Sequence, residues 1–369
     1  MLQGFPLKRR RLNQNRILGY NAVVAQISNL AVLRESQDRI LGYGEIYQSQ
    51  DKIGGYEMFL KTFWRDIVLV GGIIGLSASA NAAEAPPIPE NIMPYPVVAN
   101  IDFAEGPIFD QKGNLYFVNY MRNGTIGRFT PEGEVTVWCE TGGQANGLKV
   151  DAEGYVIAAD YGGKRILRIH PNGRDIEVLT DNYKGKPYLG PNDVCLDLAG
   201  NIYFTDPTGS GVENPIGSVY RIATDRTVTQ LDTGLAFPNG LAVNPEQTKL
   251  FVAESGPNRL LVYDLQEDVA EVAETSATNR RVVIQFDTPT LDGIMFDEFG
   301  RLWIARWTNK TVDVVTQDGK LLASIPAGGD QVTNLCFWEK SLYVTVAGQH
   351  SIHRLDVGVR GTKIIPDKQ

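Results

Sequence analysis

Six short segments of the chain share one pattern, in which an amide or carboxylate side chain stands at the start of an apolar run. The polar residues that open these segments are Glu105, Asn146, Asn192, Asn239, Asp292 and Asn334. They recur at intervals of roughly 40 to 50 residues, which is a period typical of propeller blades. Because equivalent positions of the blades form a circle around one axis, we expect these six side chains to surround one point. Such a ring of oxygen atoms is a candidate cation site.

The composition of this predicted ring favours a hard divalent cation. It contains two carboxylates and four amides, and none of its positions is a histidine or a cysteine. Calcium prefers oxygen ligands of this kind, whereas nitrogen and sulfur ligands favour softer metals. We therefore predict a divalent cation at the ring, with Ca²⁺ preferred and Zn²⁺ or Mn²⁺ as alternatives. The competing interpretation is that asparagine before glycine is simply a common turn residue.

The second repeat shows how the surrounding chain would position these side chains. Short apolar segments at 148–150, 155–159, 165–169 and 176–179 alternate with turns that contain glycine. Four strands of this kind form one antiparallel blade. Six copies predict an all-β fold, a six-bladed β-propeller of residues 96–369 with four antiparallel strands per blade. A strand at 97–101 would close the ring by joining the last blade.

Alternating strand directions place the turn between the second and third strands on the same face as the ring residue. Six loops should therefore line the mouth of the central site, at 119–124, 160–164, 206–217, 254–258, 306–310 and 347–350. The loop at 206–217 is much the longest and is a candidate lid. It begins with Asp206, which we predict to contact substrate. Trp307 and Phe237 are candidate apolar walls, although both could instead pack between blades.

Asp193 is a further candidate for chemistry because it stands where four of the six repeats have glycine. We predict that its carboxylate transfers protons close to the ring. The alternative is that this carboxylate caps the turn at the start of the inner strand.

The first 95 residues differ from the repeats. Lys61 and Arg65 precede an apolar run at 67–76 and the segment Ala80-Asn81-Ala82, which is the order found in secretory signal peptides. We predict that 1–57 is an upstream extension absent from the mature protein, that 58–82 is a signal peptide and that 83–95 is a linker. The protein would then be exported, to the periplasm or as a secreted protein, without a stable membrane span in its mature form. The alternatives are an interaction tail at 1–57 and a membrane-anchoring or buried helix at 67–76.

Composition excludes several other classes. The chain has 369 residues and a formal net charge of −8, and its basic residues do not gather on one face of any periodic segment. This argues against nucleic acid or an anionic membrane as a partner. The sequence has no G-x-S-x-G elbow or phosphate-binding glycine loop, so a serine hydrolase or nucleotide enzyme has little support. Cys139, Cys195 and Cys336 share no C-x-x-C spacing and are predicted to be small buried hydrophobic residues.

Several of these segments together resemble a known family. The ordered motifs are Glu105-Gly106-Pro107, Pro191-Asn192-Asp193 followed by 201–207, Pro238-Asn239-Gly240, and Leu291-Asp292-Gly293 followed by 300–305. Over about residues 99–357 the chain closely resembles the SMP-30/gluconolactonase/LRE-like family. The resemblance implies a six-bladed propeller with a catalytic divalent cation, usually calcium, that hydrolyses lactones and, in some relatives, organophosphates.

The resemblance also implies roles for particular residues. Position by position, the metal ligands of the family match Glu105, Asn192, Asn239 and Asp292, and the last is also its candidate general base. Asn146 and Asn334 belong to the ring by the repeat pattern alone, and we predict that they lie beside the cation and contact substrate. Family members that act on sugar lactones often carry an arginine two residues before the asparagine that Asn192 matches. This chain has Gly190 at that position, which leaves the identity of the substrate open.

The sequence thus predicts a metal-dependent hydrolase that opens small lactones, five- or six-membered rings with hydroxyls. The cation would polarise the ester carbonyl and a carboxylate would assist the attacking water. The competing hypothesis is a non-catalytic propeller that binds a ligand or a protein, with a calcium ion that only rigidifies its centre. A pocket that covers the metal site would favour the enzyme.

Overall fold

A computed structural model of the chain describes residues 85–265, 279–288 and 290–364. The predicted upstream extension at 1–57 and the predicted signal peptide at 58–82 lie outside the described residues, as do the first two residues of the predicted linker. In the described part of the chain, no helix is long and apolar enough to cross a membrane.

Six four-stranded antiparallel sheets make up the fold, and each runs from an inner strand to an outer strand. Blade 1 contains β2 (Ala104–Phe109), β3 (Leu115–Asn119), β4 (Thr125–Phe129) and β5 (Val135–Cys139). Blade 2 contains β6 (Ala145–Val150), β7 (Val156–Asp160), β8 (Arg165–Ile169) and β9 (Ile176–Thr180), and a small hairpin of β10 (Asn182–Tyr183) and β11 (Lys186–Pro187) follows it. Blade 3 contains β12 (Val194–Leu196), β13 (Ile202–Asp206), β14 (Gly217–Ile222) and β15 (Val228–Leu235).

The second half of the chain repeats this arrangement. Blade 4 contains β16 (Pro238–Val243), β17 (Lys249–Glu254), β18 (Arg259–Asp264) and β19 (Arg281–Gln285). Blade 5 contains β20 (Leu291–Phe296), β21 (Leu302–Arg306), β22 (Thr311–Val315) and β23 (Leu321–Pro326). Blade 6 contains β24 (Val332–Trp338), β25 (Ser341–Val346) and β26 (Ser351–Asp356), together with β1 (Tyr95–Ala99). The predicted six-bladed β-propeller with four antiparallel strands per blade is confirmed.

The sixth blade takes its outer strand from the beginning of the propeller. β1 pairs antiparallel with β26, with Tyr95 opposite Arg354 and Ala99 opposite Ser351. The strand begins two residues earlier than the predicted 97–101, but its role in closing the ring is the predicted one. This pairing joins the first and last elements of the propeller through backbone hydrogen bonds.

An aspartate or asparagine at the end of the inner strand builds the next turn in five blades. In blade 1, Asp110 Oδ1 accepts hydrogen bonds from the backbone N–H groups of Lys112 and Asn114, both at 2.9 Å. The residues that do this are Asp110, Asp151, Asp197, Asn244 and Asp297. Their side chains fix the turn between the first and second strands, and so fix where each inner strand starts and stops.

Glycine after the ring residue allows the inner strands to meet at the hub. A Cβ atom on Gly147 would lie 2.7 Å from Asp193 Cα of the next blade, and one on Gly293 would lie 2.8 Å from Asn334 Cα. Both separations are far below van der Waals contact, so a side chain at either glycine would push neighbouring blades apart. Gly106 and Gly240 are crowded by the next blade in the same way. The glycine of the repeated pattern is therefore a packing requirement of the hub.

Candidate active site

A β-bulge marks the ring residue in most blades. In blades 2, 4 and 5 the residue before the ring position pairs with the last residue of the second strand, and the ladder then shifts register before it resumes. Blade 1 shows the same shift directly after Glu105. Bulges redirect side chains and are common beside functional sites. Here they let the ring residues of several blades line one shared pocket.

This pocket has a volume of about 670 Å³ and lies at the end of the hub where the ring residues are found. Its floor consists of Glu105, Asn146, Asn192, Asn239 and Asp292. Asn192 is partly exposed, and the other four side chains are buried. The structure therefore brings together five of the six predicted ring residues, including all four of the metal ligands implied by the resemblance.

The walls come from the predicted mouth loops and from the residues that precede the inner strands. Tyr120, Tyr161, Ser210, Ser255 and Trp307 represent five of the six loops, and Phe237 contributes a further apolar wall. No residue of the sixth loop, 347–350, is among the described residues that line the pocket. Ser210 Oγ accepts a hydrogen bond from Phe237 N at 2.9 Å, so the long loop at 206–217 is attached to blade 4.

The two carboxylates of the floor are energetically unfavourable in their charged forms. Burial raises the pKa of Glu105 to about 8; the nearby Asp193 charge also raises it, and a 3.2 Å hydrogen bond from Gly106 N partly opposes them. Burial and the charges of Glu105 and Asp193 raise the pKa of Asp292 well above its usual value. Among the described residues, no arginine or lysine forms an ion pair with either carboxylate.

The two buried carboxylates of the floor favour a bound cation over a partner within the protein. Two buried carboxylates without a basic partner leave negative charge that a dication would compensate. The described residues contain no cluster of three or more histidine, cysteine, aspartate or glutamate side chains suited to a metal. The donor set is instead mixed, with two carboxylates and three amides, and hard cations accept both types of oxygen.

The sixth blade departs from the predicted register. Val332 pairs with Val346, the last residue of the second strand, so Thr333 occupies the ring position and Asn334 occupies the position of the hub glycine. The Thr333 hydroxyl is bonded to Ala104 O and Thr345 Oγ1, both at 2.7 Å, and does not line the pocket. Asn334, which we predicted to contact substrate, is buried in the hub and does not line it either.

Asp193 is also a hub residue, equivalent in position to Asn334. Its Oδ1 accepts a hydrogen bond from Val194 N at 2.8 Å. The side chain is almost completely buried, and it is not among the residues that line the pocket. Burial raises the pKa of Asp193, and the positive charge of buried Lys149 opposes this shift. The carboxylate therefore acts on the floor through its charge, since it helps to raise the pKa values of Glu105 and Asp292.

The Asp206 carboxylate binds backbone N–H groups and does not line the pocket. Its two oxygens accept hydrogen bonds from Leu189 N at 2.9 Å and Gly190 N at 2.6 Å. Asp160 and Glu254 end the second strands of their own blades and accept the equivalent backbone N–H groups. A carboxylate at this position therefore fixes the segment that leads into the inner strand, which is why Asp206 is turned to the backbone.

Three aromatic residues of the pocket were not predicted from the sequence. Phe103, Tyr120 and Tyr161 line the wall next to the predicted Trp307. Tyr120 and Tyr161 lie in predicted mouth loops, so their position in the repeat could have identified them. Phe103 stands two residues before Glu105, as Phe237 stands two residues before Asn239. That shared offset is the signal that could have revealed it.

A second cavity of about 410 Å³ lies between blades 2 and 3, away from the ring residues. Its charged side chains are already paired, because Arg168 Nε contacts Asp151 Oδ2 at 2.7 Å and Asp197 accepts hydrogen bonds from Asn201 and Tyr203. The pocket at the ring therefore remains the candidate active site.

Comparisons with known proteins agree with this location. Residues 103–348 match the SMP-30/Gluconolactonase/LRE-like region. A gluconolactonase of Zymomonas mobilis is 30% identical over 288 residues, which cover 70% of this chain and 80% of that protein. Diisopropyl-fluorophosphatase of Loligo vulgaris is 27% identical over 72% of this chain and 93% of its own length.

A solved structure extends the comparison to the fold. The gluconolactonase XC5397 from Xanthomonas campestris superposes with a TM-score of 0.63 and 23% identity, covering 74% of this chain and 96% of that one. The family match at 103–348 contains every residue of the pocket floor and all of blades 1 to 5. Of the described strands, it leaves out only the closing strand β1 and the last strand of blade 6, β26. The chain therefore belongs to the SMP-30/Gluconolactonase/LRE-like family.

Proposed function

We propose that this protein hydrolyses small lactones and that it uses a divalent cation, Ca²⁺ in the first place, held by Glu105, Asn192, Asn239 and Asp292. The observation that carries the proposal is the pocket floor, where two buried carboxylates, without a basic partner among the described residues, lie among three amide side chains. The similarity to a gluconolactonase supports a lactone as the substrate class. Zn²⁺ and Mn²⁺ are the alternative ions, because both accept oxygen ligands.

Each residue of the floor has a part in this proposal. Glu105 and Asp292 would supply the negative charge that retains a dication, and Asn192 and Asn239 would supply neutral oxygens. Asn146 lies on the same floor and would donate a hydrogen bond to a substrate oxygen. Asp193, although buried in the hub, would add negative charge beneath the cation.

The reaction needs an activated water and a polarised ester. A bound dication would act as a Lewis acid on the ester carbonyl. Asp292 is the candidate general base, because it lines the pocket and its carboxylate could accept a proton from the attacking water. The aromatic walls would limit access of bulk water to the ester, and so keep the electrostatic interactions of the floor strong.

The test is a turnover assay with purified protein against sugar lactones, unsubstituted lactones and phosphotriesters, the last because one relative is a fluorophosphatase. We expect lactone hydrolysis that EDTA abolishes and that added Ca²⁺ restores, with Mn²⁺ and Zn²⁺ restoring it to different degrees. Turnover of phosphotriesters alone would replace lactones as the substrate class. Cation-loaded protein that turns over no member of the panel would instead favour a non-catalytic binding propeller with a structural calcium.

A further inference from the structure

We propose that the pocket selects lactones that carry an apolar substituent, aromatic or alkyl, over polyhydroxylated sugar lactones. This inference rests on the proposed lactone hydrolysis, because it assigns the substrate of the same site. Its basis is the chemistry of the walls, which is independent of the cation-binding floor.

Four aromatic rings form a continuous series along one side of the pocket. Phe103 lies 5.6 Å from Trp307 and 5.5 Å from Tyr120, and Tyr120 lies 5.9 Å from Tyr161, measured between ring centroids. We call these four residues the aromatic arc; it spans blades 5, 1 and 2. Ring separations of this size are in the range of direct aromatic contact, so the arc offers one continuous aromatic surface.

Two aromatic residues of the pocket hold a backbone conformation that bulky side chains rarely adopt. Phe103 has φ of +66° and Phe237 has φ of +58°. Each is held there by a backbone hydrogen bond, from Tyr120 N to Phe103 O at 3.1 Å and from Ser255 N to Phe237 O at 2.9 Å. Strain of this type concentrates at ligand-binding sites. The fold therefore maintains an unfavourable conformation that places two phenyl rings on opposite walls.

Both phenylalanines stand two residues before a ring position, and the other blades show what this position does. In blade 3 it is Gly190, where a side chain would meet Thr208 Cβ at 3.1 Å and Tyr161 O at 3.0 Å. In blade 5 it is Thr290, which also lines the pocket. None of these four positions carries a charged group; they are Phe103, Gly190, Phe237 and Thr290. A guanidinium or carboxylate that would recognise sugar hydroxyls is thus absent from this layer of the described residues.

Two of the six hydroxyl groups that line the pocket are already donated within the protein. Ser210 Oγ donates to Pro207 O at 2.6 Å, and Ser255 Oγ donates to Leu291 O at 2.5 Å. Among the described residues, those that line the pocket include no arginine, lysine or histidine, and their two carboxylates are both on the floor. A substrate hydroxyl placed against the faces of the aromatic rings would lose water without a hydrogen-bond partner, which is unfavourable.

The apolar character continues outward from the pocket. Met121 follows the arc residue Tyr120 and is 67% exposed, and Val212 and Ile216 on the long loop are 62% and 42% exposed. The pocket volume of about 670 Å³ is within the range that accommodates drug-sized ligands. This is more room than an unsubstituted five- or six-membered lactone fills, so an apolar substituent has both space and a matching surface.

The test compares δ-lactones that share one ring and differ in what it carries. With Ca²⁺ present, kcat/KM is measured for δ-valerolactone, for its pentyl and phenyl derivatives, and for glucono-δ-lactone. We expect the pentyl and phenyl lactones to exceed glucono-δ-lactone by roughly tenfold or more, the discrimination that buried apolar groups provide. A glucono-δ-lactone value equal to or above those of the apolar lactones would overturn the inference while the proposed hydrolase activity stands.

Variants assign the preference to the arc. Trp307→Ala should lower kcat/KM for the phenyl lactone roughly tenfold, mainly through KM, and should change δ-valerolactone much less. Met121→Ser at the exposed rim should have a smaller effect of the same sign and cannot disturb the core. Val137→Ser, on the outer strand of blade 1, is the matched control and should leave both values unchanged. Equal losses on substituted and unsubstituted lactones in both pocket variants would contradict the inference.

Binding separates this inference from the proposed reaction. The δ-lactams with the same substituents resist hydrolysis, and calorimetry gives their Kd directly. Tighter binding of the pentyl and phenyl lactams than of the parent lactam would support the apolar pocket. If no lactone is turned over as well, the hydrolase proposal fails while the apolar pocket stands. Equal affinities would overturn the apolar pocket whatever the turnover.

Discussion

Asn334 and Asp193 meet across the propeller hub, where Asn334 Nδ2 donates a hydrogen bond of 3.4 Å to Asp193 Oδ2. Blade 6 supplies one residue and blade 3 the other, so the contact joins opposite sides of the ring. Both stand where the other four blades have glycine. Cβ atoms on Gly147 and Gly293 would collide with the side chains of Asp193 and Asn334, respectively. The glycines therefore leave the space in which this polar pair is buried.

Gly147→Ala should destabilise the protein because its new Cβ would lie 2.7 Å from Asp193 Cα, which is backbone that cannot turn away. We expect a loss of about 1–3 kcal/mol in the free energy of unfolding, the usual effect of overpacking. Urea denaturation measures it. Gly211→Ala is the control, because a Cβ there would meet no atom within 4 Å. Equal stabilities of the two variants would contradict the packing argument.

Calcium should raise the melting temperature, because a ligand bound only by the native state stabilises it by about 2.7 kcal/mol at a hundredfold excess over Kd. Glu105→Ala and Asp292→Ala should abolish this increase, since each removes one of the two carboxylates of the floor. Asn146→Ala should reduce it less. Differential scanning fluorimetry with and without Ca²⁺ provides the measurement, and Glu132→Ala, an exposed carboxylate, is the control. Unaltered calcium shifts in both floor variants would place the ion elsewhere.

The cation-free protein should lose stability as pH rises from about 4.5 to about 8. Glu105 has a folded pKa of about 8 against an ordinary value of 4.5, so in this window the folded state keeps a proton that the unfolded chain has released. Stability then falls with rising pH, by up to about 1.4 kcal/mol per pH unit for each such group, and levels off above the folded pKa. Asp292 and Asp193 shift in the same direction.

Urea midpoints measured between pH 5 and 9 test this dependence. Glu105→Gln should flatten the decline, because the amide does not titrate, and Ca²⁺ should flatten it in the wild type by compensating the charge. A decline of the same slope in wild type, variant and calcium-loaded protein would show that other groups control it.

Asp292→Asn should separate turnover from cation binding. The amide can still offer a carbonyl oxygen to the cation but cannot accept a proton, so we expect a loss of kcat with Ca²⁺ affinity partly retained. Steady-state turnover assays give kcat, and calorimetry gives the Ca²⁺ affinity of the same preparation. A variant that retains wild-type kcat would remove Asp292 from the role of general base.

We propose that the protein is exported and processed, as the pattern at 58–82 predicts. In its native host the mature chain should begin near Ala83. Intact mass and N-terminal sequencing decide this, and a mature protein that retains residues 1–57 would refute both the signal peptide and the upstream extension.

The repeated pattern was sufficient to predict the blades and most of the pocket floor. The ring residue, the glycine after it and the turn-building aspartate are all local features of the chain, and each blade repeats them. The closing strand could also be placed, because a strand precedes the first repeat and the sixth repeat lacks an outer one.

The structure differs from the repeat pattern most clearly in blade 6. In blade 6 the turn after the inner strand is a short one, with Trp338 paired to Ser341, and no turn-building aspartate marks the end of that strand. Asn334 was therefore aligned with the asparagines of other blades, although Thr333 holds the ring position. For Asp206, the sequence shows that a carboxylate is near the mouth but not that two backbone N–H groups bind it.

The pairing of β1 with β26 also governs when this protein can fold. The two strands come from opposite ends of the described propeller, so the last blade cannot be completed until the final repeat has been synthesised. Contacts of such sequence separation slow folding, because the intervening chain must be ordered before they form. If the protein is exported as proposed, the same delay would keep the polypeptide threadable through a translocation channel until its synthesis is nearly complete.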